Sequence, residues 1–389
     1  MSYHCKEGVI NAPISLTQTQ LEDLRKLVLR NISKDQVLIL SNIPRVPASI
    51  TSVLREISRR YNVPLENLRN HARTLKDLKL IDYGEPPEFR GVSLTALGEF
   101  MTSFTIEDEL SVTGNLVHTS RGTKPFGELL KDLRKMVLKM VADAGSGHLG
   151  ASLSAVDILA TLYFRKMQHD PKNPDWEERD RVILSKGHAV PALYAVLCEA
   201  GYIPPEELST LREIGSRLQG HSDTITPGVD AKTGSLGQGL SMAVGMGIAS
   251  KMDNRSYRIY VIMGDGELQE GQVWEAAMTA AHHRLDNIVV FVDRNQYQLT
   301  GSTETVKAVE PLVDKWKSFG WNALRIDGHD HFNVLDALEV CENTNGKPSV
   351  LIADTTKGRG VSFLEGNKYA KSLPTSTDLR KALAELESE

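Results

Sequence analysis

The sequence has few cysteines, no long apolar run and no large excess of charge of either sign. Its three cysteines, Cys5, Cys198 and Cys341, are far apart and form no CxxC pair. This pattern argues against a disulfide scaffold, a zinc ribbon and a CxxC redox motif, so we expect reduced thiols. The apolar runs stop at about half a dozen residues, whereas a membrane helix needs ~20, and the first residues lack the basic-then-apolar order of a signal peptide. We therefore expect a cytoplasmic protein without membrane contact.

The composition is that of a globular protein large enough for several cores. Of the 389 residues, 41% are hydrophobic and 24% are charged, with 45 basic side chains against 50 acidic ones. At ~100–200 residues per domain, this length allows two or three domains. Residues 1–115 contain 14 basic and 14 acidic side chains, so the net negative charge lies in the remainder. The chain is thus predicted to have two unequal parts.

The first part shows helical periodicity followed by turn-forming residues. Apolar spacing predicts helices over residues 17–31, 53–61 and 65–80, and a Gly- and Pro-containing stretch at 84–91 predicts the loop of a two-stranded ribbon. This order resembles the winged helix-turn-helix family over most of residues 36–104. We assign residues 1–112 to such a small, mainly helical domain and residues 113–125 to a polar linker.

Two roles are open for this first domain. Within residues 55–79 the basic side chains outnumber the acidic ones by four. The basic ones are Arg55, Arg59, Arg60, Arg69, Arg73, Lys76 and Lys79. Such a surplus can contact DNA phosphates. The zero total charge of the domain instead favours a solvated helix face on a domain that docks proteins.

The larger part has the pattern of an α/β fold. Short Val/Ile-rich runs at residues 182–184, 259–263, 288–292 and 350–353 alternate with longer helical stretches. Continuous apolar strands separated by helices indicate a parallel sheet covered on both faces. We assign residues 126–389 to this domain.

Polar residues follow two of these predicted strands directly. Residues 264–267 (GDGE) follow one strand, and residues 293–295 (DRN) follow the next, after a helix predicted over 272–284. If the strands are neighbours, Asp265 and Asn295 meet at the carboxyl edge of the sheet, where open α/β sheets bind ligands.

The chemistry of this pair predicts a metal-bound diphosphate. Carboxylate and amide oxygens suit Mg2+, which shares its ligands with phosphates. Gly264 and Gly266 allow close approach of a diphosphate, and the following helix start favours an anion. The alternative is a tight turn capped by an aspartate. A P-loop motif is absent, and Gln269 stands where a GxGxxG fingerprint needs glycine.

Five segments resemble the thiamine-diphosphate-binding half of transketolases. They are DAGSGHLGASLSAVDIL at 143–159, RDRVILSKGHAVPALYAVL at 179–197, GHSDTITPGVDAKTGSLGQGLSMAVGMG at 220–247, GDGELQEGQVWEAAMTAAHHRLDNIVVFVDRNQYQLTG at 264–301 and DTTKGRGVSFLE at 354–365. The resemblance covers essentially all of residues 126–366, which is only the amino-terminal half of a full transketolase. It implies the first subunit of a two-component enzyme. The partner would be a second subunit with the pyrimidine-binding and C-terminal domains, in an α2β2 assembly.

The resemblance also implies roles for individual residues. Mg2+ would be held by Asp265, Asn295 and the backbone carbonyl of Tyr297. Thiamine diphosphate would also be bound by a set of six residues: Gly234, Leu236, Gly264, Gly266, Glu267 and Lys357. His148, His188 and His221 match the active-site histidines that exchange protons with the sugar. Glu270, with Glu275, matches acidic positions of a carboxylate relay at the family's dimer contact. Loop hydrogen bonds for the histidines and solvent exposure for the glutamates are the alternatives.

The implied reaction is transfer of a two-carbon ketol unit from a ketose to an aldehyde. Family members usually place a further histidine after the lysine-glycine-x-glycine loop, but no histidine follows His331 here. We therefore expect poor use of ordinary pentose and hexose phosphates as sugar substrates. The pairs His282-His283 and His329-x-His331 are interpreted as surface residues. The competing hypothesis is a DNA-binding regulator that senses the cofactor or a sugar.

Overall fold

The computed structural model describes Ile39 and residues 50–61, 65–77, 81–82, 93–94, 116–367 and 375–388. The chain divides into two compact units, Met1–Leu116 and Val117–Glu389. In the described part of the chain, no helix has both the length and the apolar character needed to cross a membrane.

The first unit contains two helices and a small ribbon. Helix α1 is Ile50–Tyr61 and helix α2 is Leu65–Asp77. Strand β1, Ile81–Asp82, pairs in antiparallel orientation with strand β2, Ser93–Leu94. These elements fall where the second and third helices and the ribbon are predicted. The helix predicted over residues 17–31 and the loop of the ribbon lie outside the described residues, so the winged-helix assignment stays a prediction.

The second unit is built on a five-stranded parallel sheet. Ahead of it, β3 (Leu116–Thr119) and β4 (Gly122–Pro125) form a separate two-stranded sheet. The strands of the main sheet are β5 (Arg181–Leu184), β6 (Ile259–Gly264), β7 (Ile288–Arg294), β8 (Asn322–Asp327) and β9 (Ser349–Asp354). Their order is β5-β6-β7-β9-β8, and every neighbouring pair is parallel. The α/β fold with a parallel sheet is thereby confirmed.

Helices cover the sheet on both faces. The α-helices of the second unit are α3 (Phe126–Asp143), α4 (Leu149–Leu153), α5 (Val156–Thr161), α6 (Val190–Ala200), α7 (Gln238–Met252), α8 (Gly271–His282), α9 (Thr303–Lys307), α10 (Leu312–Ser318), α11 (His331–Glu342) and α12 (Ser376–Ser388). Successive residues of the central strands pack into opposite cores. Tyr260 and Ile262 of β6 lie in one core, and Val261 and Met263 lie in the other. When both faces of a strand are buried, successive residues are all apolar instead of alternating with polar ones. This explains the continuous apolar runs in the sequence.

Strand β8 is not among the predicted strands. It is an edge strand, and its Arg325 side chain is exposed and forms an ion pair with Asp354 of β9 at 2.8 Å. An edge strand carries polar residues within its apolar pattern, so it lacks the continuous signal of a central strand.

The linker prediction is wrong for the segment that forms β3 and β4. The backbone N–H of Ser120, in the turn between them, donates to the carbonyl of Glu199 at 2.8 Å. The Lys124 ammonium donates to the Asp132 carboxylate at 2.6 Å. These polar residues are therefore ordered by partners on the second unit, which a local sequence pattern does not reveal.

Candidate active site

A cavity of about 400 Å³ lies at the carboxyl edge of the sheet, next to the ends of β6 and β7. Of the fourteen positions given a role from the sequence, all but Glu275 line it: His148, His188, His221, Gly234, Leu236, Gly264, Asp265, Gly266, Glu267, Glu270, Asn295, Tyr297 and Lys357. Five further residues complete the wall: Ala151, Lys186, Gln269, Gln298 and Leu299. The fold thus gathers segments that are more than 200 positions apart in the sequence.

The Asp265 carboxylate connects the turns after β6 and β7. Its Oδ1 accepts a hydrogen bond from the Gly266 N–H at 2.8 Å. Its Oδ2 accepts from the Gln296 N–H at 2.7 Å and from Arg294 Nη1 at 2.8 Å. Burial raises the pKa of Asp265 to about 6, although the hydrogen bond from Arg294 lowers it. The carboxylate is therefore buried, oriented by this chain and mostly ionised at neutral pH.

The Asn295 amide is oriented by two hydrogen bonds of its own. Its Nδ2 donates to Asp293 Oδ2 at 2.9 Å, and its Oδ1 accepts from the Tyr297 N–H at 3.1 Å. Gln296, between the two, has a φ of 69°, a conformation that side-chain-bearing residues rarely adopt. This turn brings an amide oxygen and a backbone carbonyl into the same short segment beside Asp265.

The oxygen atoms of Asp265, Asn295 and the Tyr297 carbonyl are of the chemical types that bind Mg2+. Carboxylate, amide and carbonyl oxygens are the ligands that this hard cation prefers, completed by water or phosphate oxygens. Among the described residues, no group of three or more His, Cys, Asp or Glu side chains is placed to hold a metal ion. An ion at this position would therefore depend on amide, backbone and ligand oxygens as well as on Asp265.

The Glu267 carboxylate ties three loops of the wall together. Its Oε1 accepts from the Gly237 N–H at 2.8 Å and from the Ser185 hydroxyl, and its Oε2 accepts from the Gly264 N–H at 3.0 Å. Burial raises the pKa of Glu267, against the lowering by these donors. Both carboxylate oxygens of Glu267 thus accept hydrogen bonds from other residues of this chain.

Lys186 and Asp293 form a buried ion pair beneath the cavity, which sequence reasoning missed. The Lys186 ammonium also donates to the Ala151 carbonyl at 2.9 Å. Asp293 accepts further hydrogen bonds from Ser154 at 2.7 Å and from Thr355. Burial alone would raise the pKa of Asp293, but the Lys186 ammonium and the donated hydrogen bonds bring it below its usual value. The only available signal was the lysine close to His188 in the SKGHA segment.

The three predicted histidines line the same cavity, and the pKa values of His188 and His221 are lowered. The His148 and His188 ring centroids are 4.9 Å apart. Burial, followed by the neighbouring Lys186 charge, lowers the pKa of His188 to about 3. Burial and the Arg212 charge also lower the pKa of His221. Neutral imidazole both donates and accepts hydrogen bonds, which suits contact with sugar hydroxyls.

The rim of the cavity combines apolar and charged groups. The Leu236 side chain is 37% exposed and that of Leu299 is 63% exposed. Glu270 is exposed at the rim, whereas Glu275 lies on α8 and is not part of the cavity wall. The buried Lys357 ammonium lies 5.7 Å from the centre of the Tyr297 ring.

The surface interpretation holds for one histidine pair and is wrong for His329. His282 and His283 lie at the end of α8, where the His283 side chain is exposed. The His329 ring is only 12% exposed because it is enclosed by Asp157 and Thr356, which lie far from it in sequence.

Comparison with known proteins agrees with this geometry. The family described as the thiamine diphosphate binding domain of transketolase matches residues 127–383. A 6-deoxy-6-sulfo-D-fructose transketolase subunit from Clostridium sp. (strain MSTE9) is 48% identical over 259 residues, 66% of this chain and 94% of the relative. A subunit of apulose-4-phosphate transketolase from Phocaeicola vulgatus is 43% identical over 254 residues, 65% of this chain and 90% of the relative.

Solved structures show the same fold within longer chains. Transketolase from Leishmania mexicana has a TM-score of 0.64 at 31% identity, covering 67% of this chain and 41% of that one. Transketolase from Campylobacter jejuni has a TM-score of 0.64 at 34% identity, covering 67% and 42%. This chain therefore spans about two fifths of the length of the solved transketolases that it matches. The chain belongs to the transketolase family and corresponds to the thiamine-diphosphate-binding, amino-terminal subunit of its two-component members.

Proposed function

We propose that this chain is the thiamine-diphosphate- and Mg2+-binding subunit of a two-component transketolase-like transferase. The reaction is transfer of a two-carbon ketol unit from a ketose, phosphorylated or otherwise modified, to an aldehyde. The observation that supports this proposal most is that thirteen sequence-predicted positions line one cavity at the carboxyl edge of the sheet. Residues that share only a turn-forming or capping role would not all face the same space.

The diphosphate end of the site is assigned to the turns after β6 and β7. Asp265, Asn295 and the Tyr297 carbonyl would hold Mg2+, which would neutralise diphosphate charge. A Cβ at Gly266 would lie 3.0 Å from the Gln298 Cβ, so glycine keeps this turn close to its neighbour. Lys357 supplies a further positive charge at the cavity wall.

The sugar end of the site is assigned to the three histidines. Thiamine diphosphate, when bound, would supply the carbon nucleophile for the transfer. His148, His188 and His221 orient the sugar hydroxyls and exchange protons with them through imidazole nitrogens that are neutral at His188 and His221. Leu236 offers an apolar surface to the cofactor at the rim.

The site is completed by a second protein. The relatives are themselves named as transketolase subunits. We propose a partner that carries the pyrimidine-binding and C-terminal domains, an α2β2 assembly, and a place for Glu270 at the contact between cofactor sites.

The first unit is proposed to be a winged-helix domain that docks protein. Arg55, Arg69 and Arg73 are exposed on α1 and α2, which keeps the DNA-binding alternative testable. Anisotropy of labelled duplex DNA mixed with the full chain decides between the two roles. Tight, sequence-specific binding at physiological salt would favour the regulator hypothesis.

Calorimetric titration of thiamine diphosphate and Mg2+ into the complex of this chain with its partner tests the cofactor assignment. Asn295→Ala removes one proposed metal ligand and should weaken binding by more than about tenfold, the loss typical for a hydrogen bond or ligand to a charged group. His283→Ala, an exposed change at the end of α8 outside the cavity, is the matched control and should bind as the unsubstituted complex does. Equal affinity in both variants would refute the metal assignment.

A further inference from the structure

Three side chains from separate elements form a buried chain of ionic and hydrogen-bond contacts beside the cavity. Arg134 of α3 donates through Nη2 to Asp157 Oδ2 at 2.6 Å. The same Asp157 oxygen, on α5, is 2.8 Å from His329 Nδ1, in the turn after β8. The Arg134 and Asp157 side chains are 8% and 4% exposed. None of the three residues lines the cavity, so the assigned site does not account for them.

The partners of His329 define its tautomer. Burial raises the pKa of Asp157, but the Arg134 charge and the contacts with His329 lower it overall, so this carboxylate is an acceptor. His329 Nδ1 therefore carries the proton and donates a hydrogen bond to Asp157 Oδ2. On the other side of the ring, the Thr356 N–H donates to Nε2 at 2.8 Å, so Nε2 is the unprotonated nitrogen. The imidazole thus connects a fixed carboxylate to a backbone amide.

That amide belongs to the residue immediately before Lys357. The loop that carries Lys357 has glycines with positive φ at Gly358 and Gly360, 83° and 87°, which alone would leave its backbone free to take other conformations. The Gly358 N–H donates to the Gly150 carbonyl at 3.0 Å. The loop is therefore held from one side by α4 and from the other by His329.

Arg134 also contacts this loop directly. A Cβ placed on Gly360 would lie 2.8 Å from Arg134 Cδ, so the arginine stem packs against the loop beyond Lys357. The Arg134–Asp157–His329 chain consequently touches the loop before and after the lysine. Side chains that served only to fill the core would not be expected to contact the loop on both sides of Lys357.

We infer that His329, fixed by Asp157 and Arg134, is a positioning residue for Lys357 and for the anionic diphosphate that Lys357 faces. The inference rests on the proposed function for the identity of the anion. The position of the loop itself follows from the contacts of this chain.

Two substitutions at His329 separate positioning from stability. His329→Asn keeps a donor near the Nδ1 position toward Asp157 but removes the acceptor for the Thr356 N–H. His329→Gln places an acceptor near the Nε2 position and gives up the Asp157 contact. If the acceptor matters, His329→Asn should speed hydrogen exchange of the amides of residues 355–360 by about three- to tenfold, while His329→Gln stays within about twofold of the unsubstituted chain.

Affinity for thiamine diphosphate with Mg2+, measured by calorimetry on the complex with the partner, is the second readout. His329→Asn should weaken it by about three- to tenfold and His329→Gln should restore it. In a Lys357→Met background, His329→Asn should have little further effect, because the positioned group is already absent. The inference would be overturned if the effects of His329→Asn and Lys357→Met on affinity were additive, or if His329→Asn and His329→Gln weakened binding equally.

Failure of the proposed function has a different signature. It would appear as no thiamine diphosphate binding by the unsubstituted complex. The exchange measurement needs no ligand and still decides the positioning role: unchanged loop protection in His329→Asn overturns it, and selective loss of protection supports it.

Discussion

The His148 and His188 rings meet edge to face, with their planes at 65° and their centroids 4.9 Å apart. His188 follows the buried Lys186, which already carries a positive charge under the cavity. Burial of the ring and, after it, the Lys186 charge make a charge on the imidazole unfavourable, so the ring stays neutral well below neutral pH. This arrangement makes His188 a neutral hydrogen-bonding group rather than a cationic one.

The low pKa of His188 makes the stability of the protein depend on pH. Its pKa is lowered from 6.5 to about 3 in the folded chain. Below about pH 6.5 the His188 imidazole is protonated in the unfolded chain but stays neutral in the folded one. Protonation therefore favours unfolding, and the free energy of unfolding decreases as the pH falls from 6.5 toward 3.

At pH 5 this effect should lower the free energy of unfolding by about 2 kcal/mol. His188→Gln has no such proton, so the difference between the two unfolding free energies should change by that amount between pH 7 and pH 5. Urea unfolding at each pH measures it. Parallel pH profiles for the two proteins would contradict the neutral, buried state of this ring.

Gly237 is predicted to be required where the backbone passes close to Glu270, a residue of the cavity wall. It has a φ of 87°, and a Cβ there would lie 2.8 Å from the Glu270 Cβ. Gly237→Ala should therefore lower the free energy of unfolding by about 1–3 kcal/mol and weaken cofactor binding.

Gly271, the first residue of α8, provides the matched control. A Cβ there meets nothing within 4 Å. Gly271→Ala should leave stability unchanged or raise it by about 0.4–1 kcal/mol. Thermal unfolding of both variants tests the pair, and equal effects would show that the wall tolerates a side chain at Gly237.

Substrate preference is predicted from the histidine that this chain lacks. The family usually places one after the lysine-glycine-x-glycine loop, whereas no histidine follows His331 here. The corresponding run, residues 368–374, lies outside the described residues. Loss of a hydrogen bond to a charged sugar phosphate costs ~1.5–3 kcal/mol, or about ten- to a hundredfold in rate or affinity.

Xylulose and fructose phosphates should therefore be poor donors, with a modified sugar preferred. The relative from Clostridium, named for a sulfonated fructose, makes that sugar a sensible first comparison. Steady-state kinetics with each donor decide the question. A kcat/KM of ~10⁴ M⁻¹s⁻¹ or higher for the ordinary sugar phosphates would show that the missing histidine has no such consequence.

Local sequence patterns predicted the central strands and, at their ends, Gly264, Asp265, Gly266 and Asn295, whereas the other cavity positions were implied only by the resemblance to transketolases. Strands β6 and β7 are buried on both faces, which gives them continuous apolar runs, and each is followed at once by a polar turn. Because parallel strands end at the same edge, Asp265 and Asn295 were predicted to meet if the two strands are neighbours, and β6 and β7 do pair.

The features that were missed depend on contacts between distant parts of the chain. Lys186 meets Asp293 across 107 positions, and His329 meets Asp157 across 172. Nothing in the residues around His329 distinguishes an enclosed ring from an exposed one. Strand β8 was missed because its edge position mixes polar with apolar residues.

Ketol transfer by this chain, alone and with its partner, tests the central claim most directly. The chain and the protein that co-purifies with it are assayed separately and after mixing, with sulfonated and phosphorylated ketoses as donors. We expect no turnover by either protein alone, because the proposed function assigns the other half of the cofactor pocket to the partner, and transfer of a two-carbon unit once they are combined. Robust turnover by the monodisperse single chain, or none by the mixture, would contradict the account.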